Sequence, residues 1–237
     1  MTDNFKRYTK KRLRNKLYFF DLLSITNYII LINVIFFILA AIIIFINQDY
    51  IKFIALQPSY IFQGKYLWTF LTSMFMHGGV FHLVVNMFVL FSLGSFCEKI
   101  IGRKRFFWFY IISGLVAGIA FVILSGFFGH TKIGEMIFGS PNIAGVGASG
   151  AIFAIAGLFM VLTPRLRFVV IFLPFFSLPA YIMIPLVLFA TWLVSAGAGF
   201  PIGNTAHFGG FLAGVFYGLY LRKRYTKKVV MLNRMIE

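Results

Sequence analysis

Residues 145–157 read Gly-Val-Gly-Ala-Ser-Gly-Ala-Ile-Phe-Ala-Ile-Ala-Gly, a lone serine among glycines heading a run that stays apolar to Leu162. The small residues Gly147, Gly150, Ala154 and Gly157 recur every three or four positions, which puts them on one helix face. A face of that kind lets a second backbone come close, the usual way helices pack inside a membrane. A matching stripe stands further along the chain, where Ala206, Gly210, Gly214 and Gly218 recur every four residues. Two complementary small faces on apolar segments predict two packed membrane helices. The fold class expected from them is an all-α polytopic membrane protein.

The rest of the chain agrees with a membrane as solvent. Of its 237 residues 60% are hydrophobic and only 12% charged, with 32 Phe. A water-soluble surface cannot be built from so few charges. A helix needs about 20 apolar residues to cross the hydrocarbon core. Six candidate spans follow: about 27–47, 80–97, 106–128, 146–162, within 177–196, and 205–221. Pro174, Pro179 and Pro185 interrupt the stretch before and within the fifth, so Leu166–Leu173 reads as a short juxtamembrane piece ahead of it. The connection 48–79 is long and aromatic and is expected to lie embedded at the membrane interface. No internal repeat is visible. The first apolar run is too long for a signal h-region and lacks a small-residue cleavage site, so it reads as a span rather than a signal peptide.

The net charge of +16 would suit a nucleic-acid binder if it were spread along the chain. It is not. Lys and Arg number seven in residues 1–26, four after span 2 (Lys99, Arg103, Lys104, Arg105), two after span 4 and six in the C-terminal tail, against three (Lys52, Lys65, Lys132) in the alternate flanks. The bias predicts both termini in the cytoplasm. The basic segments then serve as topology signals and anionic-lipid contacts, and no nucleic-acid partner is expected. The organisation is a basic tail over 1–26, a membrane domain over 27–221 and a second basic tail over 222–237. Cys97 is the one cysteine, so no disulfide forms within the chain and no zinc-finger or thioredoxin spacing exists.

Polar groups in a membrane are costly, and three clusters need a reason. His82 and Asn86, spaced i, i+4, share one helix face. They can be a helix–helix contact, or two donors for a developing oxyanion. Ser149 can be packing, or a nucleophile exposed at a helix start where small neighbours and free N–H groups suit an anion. The soluble nucleophile elbow G-x-S-x-G is not matched, because Ala151 stands at the second glycine. His207, opening span 6, can be structural, a proton relay or a general base. Depth joins the three. His82, Ser149 and His207 each lie near the start of a span that descends from the outer side, so all three reach one level. Asp21, Asp49, Glu98 and Glu135 are the acidic residues away from the extreme ends, and none falls mid-span. A Ser149–His207 dyad is therefore expected. His77 is expected to bond within the embedded loop and His130 to be solvated. A metal site from His77, His82 and His207 is disfavoured, since no carboxylate, cysteine or H-E-x-x-H accompanies them. No cofactor is called for.

His82-x-x-x-Asn86, Gly147-Ala148-Ser149-Gly150 and Ala206-His207-x-x-Gly210-x-x-x-Gly214 together resemble the rhomboid intramembrane serine proteases. The likeness runs from about Trp68 to Leu221 and includes Gly94 and the Glu98-Lys99 pair. It implies a six-helix core, Ser149 as nucleophile, His207 as base, and an oxyanion hole from Ser149 N–H, His82 and Asn86. Gly147, Gly150, Phe153 and Gly210 would support the site. Substrates would be single-span or other transmembrane proteins, cut in or near the membrane segment, at an active site on the extracytoplasmic side of the plasma membrane. Two departures stand out. Trp68-Thr69 replaces the Trp-Arg of many members, and Phe153 replaces a frequent Tyr whose ring stacks on the histidine. The alternatives are a non-catalytic binder of membrane-protein clients and a transporter with His82 and His207 as proton relays. Span 5 and the 195–204 loop are candidate gates for substrate.

Overall fold

Apolar helices can bury only against lipid or one another, and small faces select which pairs come closest. The computed structural model describes residues 24–170, 173–198 and 203–236. The chain opens with α1 (Ile25–Ile46). A 3-10 turn over Gln48–Phe53 and two short helices, α2 (Pro58–Phe62) and α3 (Thr69–Thr72), follow. Next come α4 (Val80–Ile101), interrupted by a π turn at Leu90–Gly94, and α5 (Arg103–Phe128). α6 (Lys132–Phe138) and α7 (Ser149–Leu162) lead to strands β1 (Arg167–Val170) and β2 (Leu173–Pro179). The chain continues through α8 (Ala180–Ala198), α9 (Asn204–Arg224) and α10 (Thr226–Ile236). By length and composition α1, α4 and α5 are long and apolar enough to cross a membrane; α7 and α8 are shorter apolar helices.

α7 is the axis of the molecule. It is apolar all round, and a helix of that kind belongs in an interior. Gly150 to Phe159 are buried apart from Phe153, and Ile155 and Leu158 sit in a core with Phe106 and Tyr110. α9 lies along α7 through the small faces. A methyl group at Gly210 would collide with the Gly150 carbonyl, and one at Gly214 with the Ala154 carbonyl. α5 closes a third side, where a methyl at Gly209 would strike Ala120 and one at Gly150 would come within 2.6 Å of Ala117 Cβ. α1 is peripheral: only Thr26, Ile29, Asn33 and Ala40 are buried along it, while Leu31, Ile35, Ile38 and Ile42 face outward. Such an apolar outer belt suits lipid.

Several boundaries differ from the sequence reading. α1, α5 and α9 start a few residues earlier than expected, as helix ends commonly do. The change at α7 has a physical cause. Helix was expected from Val146, but Gly147 holds φ at +129°, which no helix admits, so the helix begins at Ser149. The Leu166–Leu173 piece, expected ahead of the fifth helix, does not stand alone. Its residues open a two-stranded antiparallel hairpin, pairing Arg167 with Pro179, Phe168 with Leu178 and Val169 with Ser177. Arg167 Nε and a terminal nitrogen donate to Ser177 Oγ and O at 3.0 and 2.6 Å. A β-branched and aromatic run ended by prolines favours strand over helix. Residues 1–23, which carry most of the expected N-terminal tail, lie outside the described residues, as do 199–202 of the expected gating loop.

Candidate functional site

The segment that feeds α7 is held by the long connection before α4. Leu56 and Gly145 exchange backbone hydrogen bonds of 3.0 and 2.8 Å, and Gly147 N–H donates to the Ser73 carbonyl at 2.9 Å. That connection is itself fixed by aromatic edges, Phe53, Tyr60 and Trp68 each meeting Tyr66 at 5.0–5.6 Å. Trp68 Nε1 donates to Phe53 O at 2.9 Å. Thr69 is buried with its hydroxyl on the Tyr66 carbonyl at 2.7 Å. Thus the sharp turn at Gly147 is imposed from outside, and Ser149 emerges half-buried at the first position of a helix.

His207 arrives from the first turn of α9, between buried Thr205 and Gly209. Its Nε2 lies 2.8 Å from Ser149 Oγ. The ring of Phe153 stacks on the imidazole at a centroid distance of 4.4 Å and 29°. Among the described residues the other ring nitrogen, Nδ1, has no hydrogen-bond partner. Ser149 and His207 therefore form a two-membered contact oriented by an aromatic face. The close pass of Gly210 over the Gly150 carbonyl is what lets the two helix starts come together.

His82 approaches from α4. Its Nδ1 accepts the Gly78 N–H at 3.3 Å, which leaves Nε2 as the protonated nitrogen of a neutral ring. A Cβ at Gly147 would sit 3.1 Å from that Nε2 and 3.5 Å from Ser149 Oγ. Glycine keeps open a small gap bounded by a donor and a hydroxyl. Asn86, buried one turn further on, donates its amide to the His82 carbonyl at 2.8 Å. Only its second amide proton is left for anything placed beyond Ser149. His77 is 1% exposed and packs edge-on to His82 at 5.1 Å. Burial, with His82 as a second cause, pushes its imidazole down to about 4. His130 is exposed, as a solvated residue should be, with Nε2 2.6 Å from the Gly126 carbonyl near the end of α5. Among the described residues no three of His, Cys, Asp or Glu converge where a metal ion could sit.

Two contributors carry no clear signal in the sequence. The main-chain groups of Ser73 and Gly78 aim Gly147 and His82, and any residue type could supply them. Trp192 of α8 donates Nε1 to the Ile137 carbonyl of α6 at 2.7 Å and approaches Phe208, the neighbour of His207, at 6.1 Å. α8 is thereby tied down beside the site.

Comparison with known proteins agrees with this architecture. A family model described as the rhomboid domain matches residues 64–224. The chain is 29% identical over 180 residues to Rhomboid protein 1, mitochondrial, of Saccharomyces cerevisiae, covering 75% of this chain and 47% of that protein. It is 30% identical over 173 residues to RHOMBOID-like protein 5 of Arabidopsis thaliana, covering 72% and 50%. Rhomboid protease GluP of Bacillus subtilis is 28% identical over 175 residues, covering 72% and 29%. The chain spans half or less of the length of these relatives.

Proposed function

Because this chain belongs to the rhomboid family, we propose that it is an intramembrane serine endopeptidase that cleaves transmembrane proteins in or near their membrane-spanning segment. The observation that carries the reading is the 2.8 Å approach of His207 Nε2 to Ser149 Oγ. A relative bearing the name protease, GluP of Bacillus subtilis, supports it at the level of the family. His207 takes the proton of Ser149 as Oγ attacks a peptide carbonyl. The oxyanion is held by Ser149 N–H, His82 Nε2–H and the second amide proton of Asn86. His207 returns its proton to the leaving amine, and a water that it then activates releases the acyl group.

The same reading includes six spans, formed by α1, α4, α5, α7, α8 and α9. The domain over 27–221 then carries basic cytoplasmic ends, and the membrane is the plasma membrane with the site toward its outer side. A fluorophosphonate probe tests the chemistry on the intact membrane protein. Labelling should occur in the wild type and vanish in Ser149→Ala and His207→Ala. A client fragment produced equally by Ser149→Ala protein would overturn the reading. Client retention without labelling of the wild type would point instead to a membrane-segment binder.

A further inference from the structure

At the end of the bundle remote from Ser149, α10 does something a simple tail would not. Asn233 donates to the carbonyl of Leu162, the last residue of α7, at 2.7 Å. In α9, Gly218 packs beside Val161, the neighbour of Leu162. Had α9 run on straight, Asn233 would stand about 22 Å beyond Gly218 along the axis. The break at Tyr225 instead turns α10 across the bundle end, level with the terminus of α7. Val229 packs on the core and Leu232 is half-buried, so these residues with Asn233 mark the inner face. The opposite face bears Lys228, Met231 and Met235, exposed and spaced i, i+3, i+7. A helix laid flat with cations beside bare methionines has the makeup of an interfacial helix.

The second observation is a pair of like charges. Arg105 and Lys228 both lie over the Tyr225 ring, at 5.3 and 5.8 Å from its centroid, and Arg105 also donates to Tyr225 OH at 3.0 Å. Among the described residues neither makes an ion pair. The described carboxylates are engaged or remote. Glu98 is turned inward onto Ile25 and Thr26, while Asp49 and Glu135 belong to segments at the opposite end. Two exposed cations gathered on one ring, with no described carboxylate beside them, offer a place for an anion.

We propose that Arg105, Tyr225 and the Lys228–Met231–Met235 face of α10 bind an anionic phospholipid of the adjoining leaflet. The phosphate sits with the two cations and the acyl chains run along the methionines. The proposal rests on the chain being a membrane protein and not on Ser149 being a nucleophile, so it stands or falls apart from the hydrolytic reading. The test is native mass spectrometry of the full chain in neutral detergent, with phosphatidylglycerol or phosphatidylcholine of matched acyl chains added. Phosphatidylglycerol should be retained preferentially, and an Arg105→Gln, Lys228→Gln protein should bind it roughly thirtyfold more weakly. Arg105→Lys keeps the charge and should keep most of the preference. Lys52→Gln, Lys65→Gln changes net charge equally at the other end and should leave the preference intact. Equal retention of the two lipids, or the same loss in the Lys52, Lys65 protein, would overturn the proposal. Ser149→Ala should bind the lipid as the wild type does.

Discussion

Imidazoles in soluble serine hydrolases are held by a carboxylate on the far nitrogen, but at His207 that nitrogen is unpartnered among the described residues and Phe153 covers the ring instead. Orientation then comes from stacking and burial, and in the proposed reaction the donors on the oxyanion side would carry a larger share of rate enhancement. If the proposed chemistry holds, His82→Ala should lower kcat roughly 100- to 1000-fold with little change in KM, as removal of one oxyanion donor does. Steady-state kinetics on a reconstituted substrate would measure it, and an unchanged kcat would remove His82 from the site. His77, packed behind His82, gives a different signature. Its imidazole is held down at about 4 against an ordinary 6.5, chiefly by burial. An unfolded chain takes up a proton near 6.5, while the folded one refuses it until about 4. Stability from neutral His77 is therefore complete above about 6.5 and falls as pH drops toward 4, by roughly 3 kcal/mol across the window. Melting temperatures in detergent between pH 7 and 4.5 should show that fall, and His77→Gln should flatten it. Ser149, His207, His82 and Asn86 could be singled out from the sequence because a polar group in an apolar helix is conspicuous. The atoms that aim them, Ser73 O and Gly78 N–H, are main-chain and leave no such mark.

Glu98 reads, in the sequence, as one half of a charged pair just after a span, yet it is the cap of another helix. Its two oxygens accept from Ile25 N–H, Thr26 N–H and the Thr26 hydroxyl at 2.9, 2.9 and 2.7 Å, and Arg103 approaches at 3.8 Å. A carboxylate at a helix N-terminus satisfies orphan donors and complements the helix dipole. Because the bonds run between α1 and α4, more than 70 residues apart, no local pattern could announce them. Glu98→Gln keeps the size but loses the charge, so destabilisation of about 2–3 kcal/mol is expected, read as a lower melting temperature with Ser149 labelling intact at low temperature. Glu98→Ala should cost more, since it also strands the Thr26 hydroxyl in a buried place. The α7–α9 contact is the opposite case. Gly210 and Gly214 at a four-residue spacing declare a close approach, and backbone carbonyls fill the space a side chain would need. The hairpin before α8 was hidden because an apolar run broken by prolines does not say whether the broken pieces pair with each other.

At the scale of the molecule, the length of α7 bears on the proposal that Ser149 is a hydrolytic serine inside a membrane. Its 14 residues rise about 21 Å, against a hydrocarbon core of about 30 Å. In the proposed topology, with Arg165 and Arg167 at the basic interface beyond its C-terminal end, its start would lie roughly 9 Å beneath the opposite one. In that placement the short helix would set the depth of Ser149, and the turn at Gly147 brings the chain to its start. His207 reaches the same level because α9 is locked to α7 glycine by glycine. For the proposed hydrolysis water would enter from the side of the long connection 48–79, since Leu162, Thr163 and Leu221 at the other end of α7 are all buried. A serine at that depth can be tested without any substrate. In Ser149→Cys protein, a membrane-impermeant methanethiosulfonate should modify Cys introduced at 149 when added on the face opposite the C-terminal tail. It should not do so from the tail side. The native Cys97 is fully buried and supplies little background, which wild-type protein would measure directly. Modification from the tail side would reverse the proposed orientation, and modification from neither face would deny the site the water its hydrolysis requires.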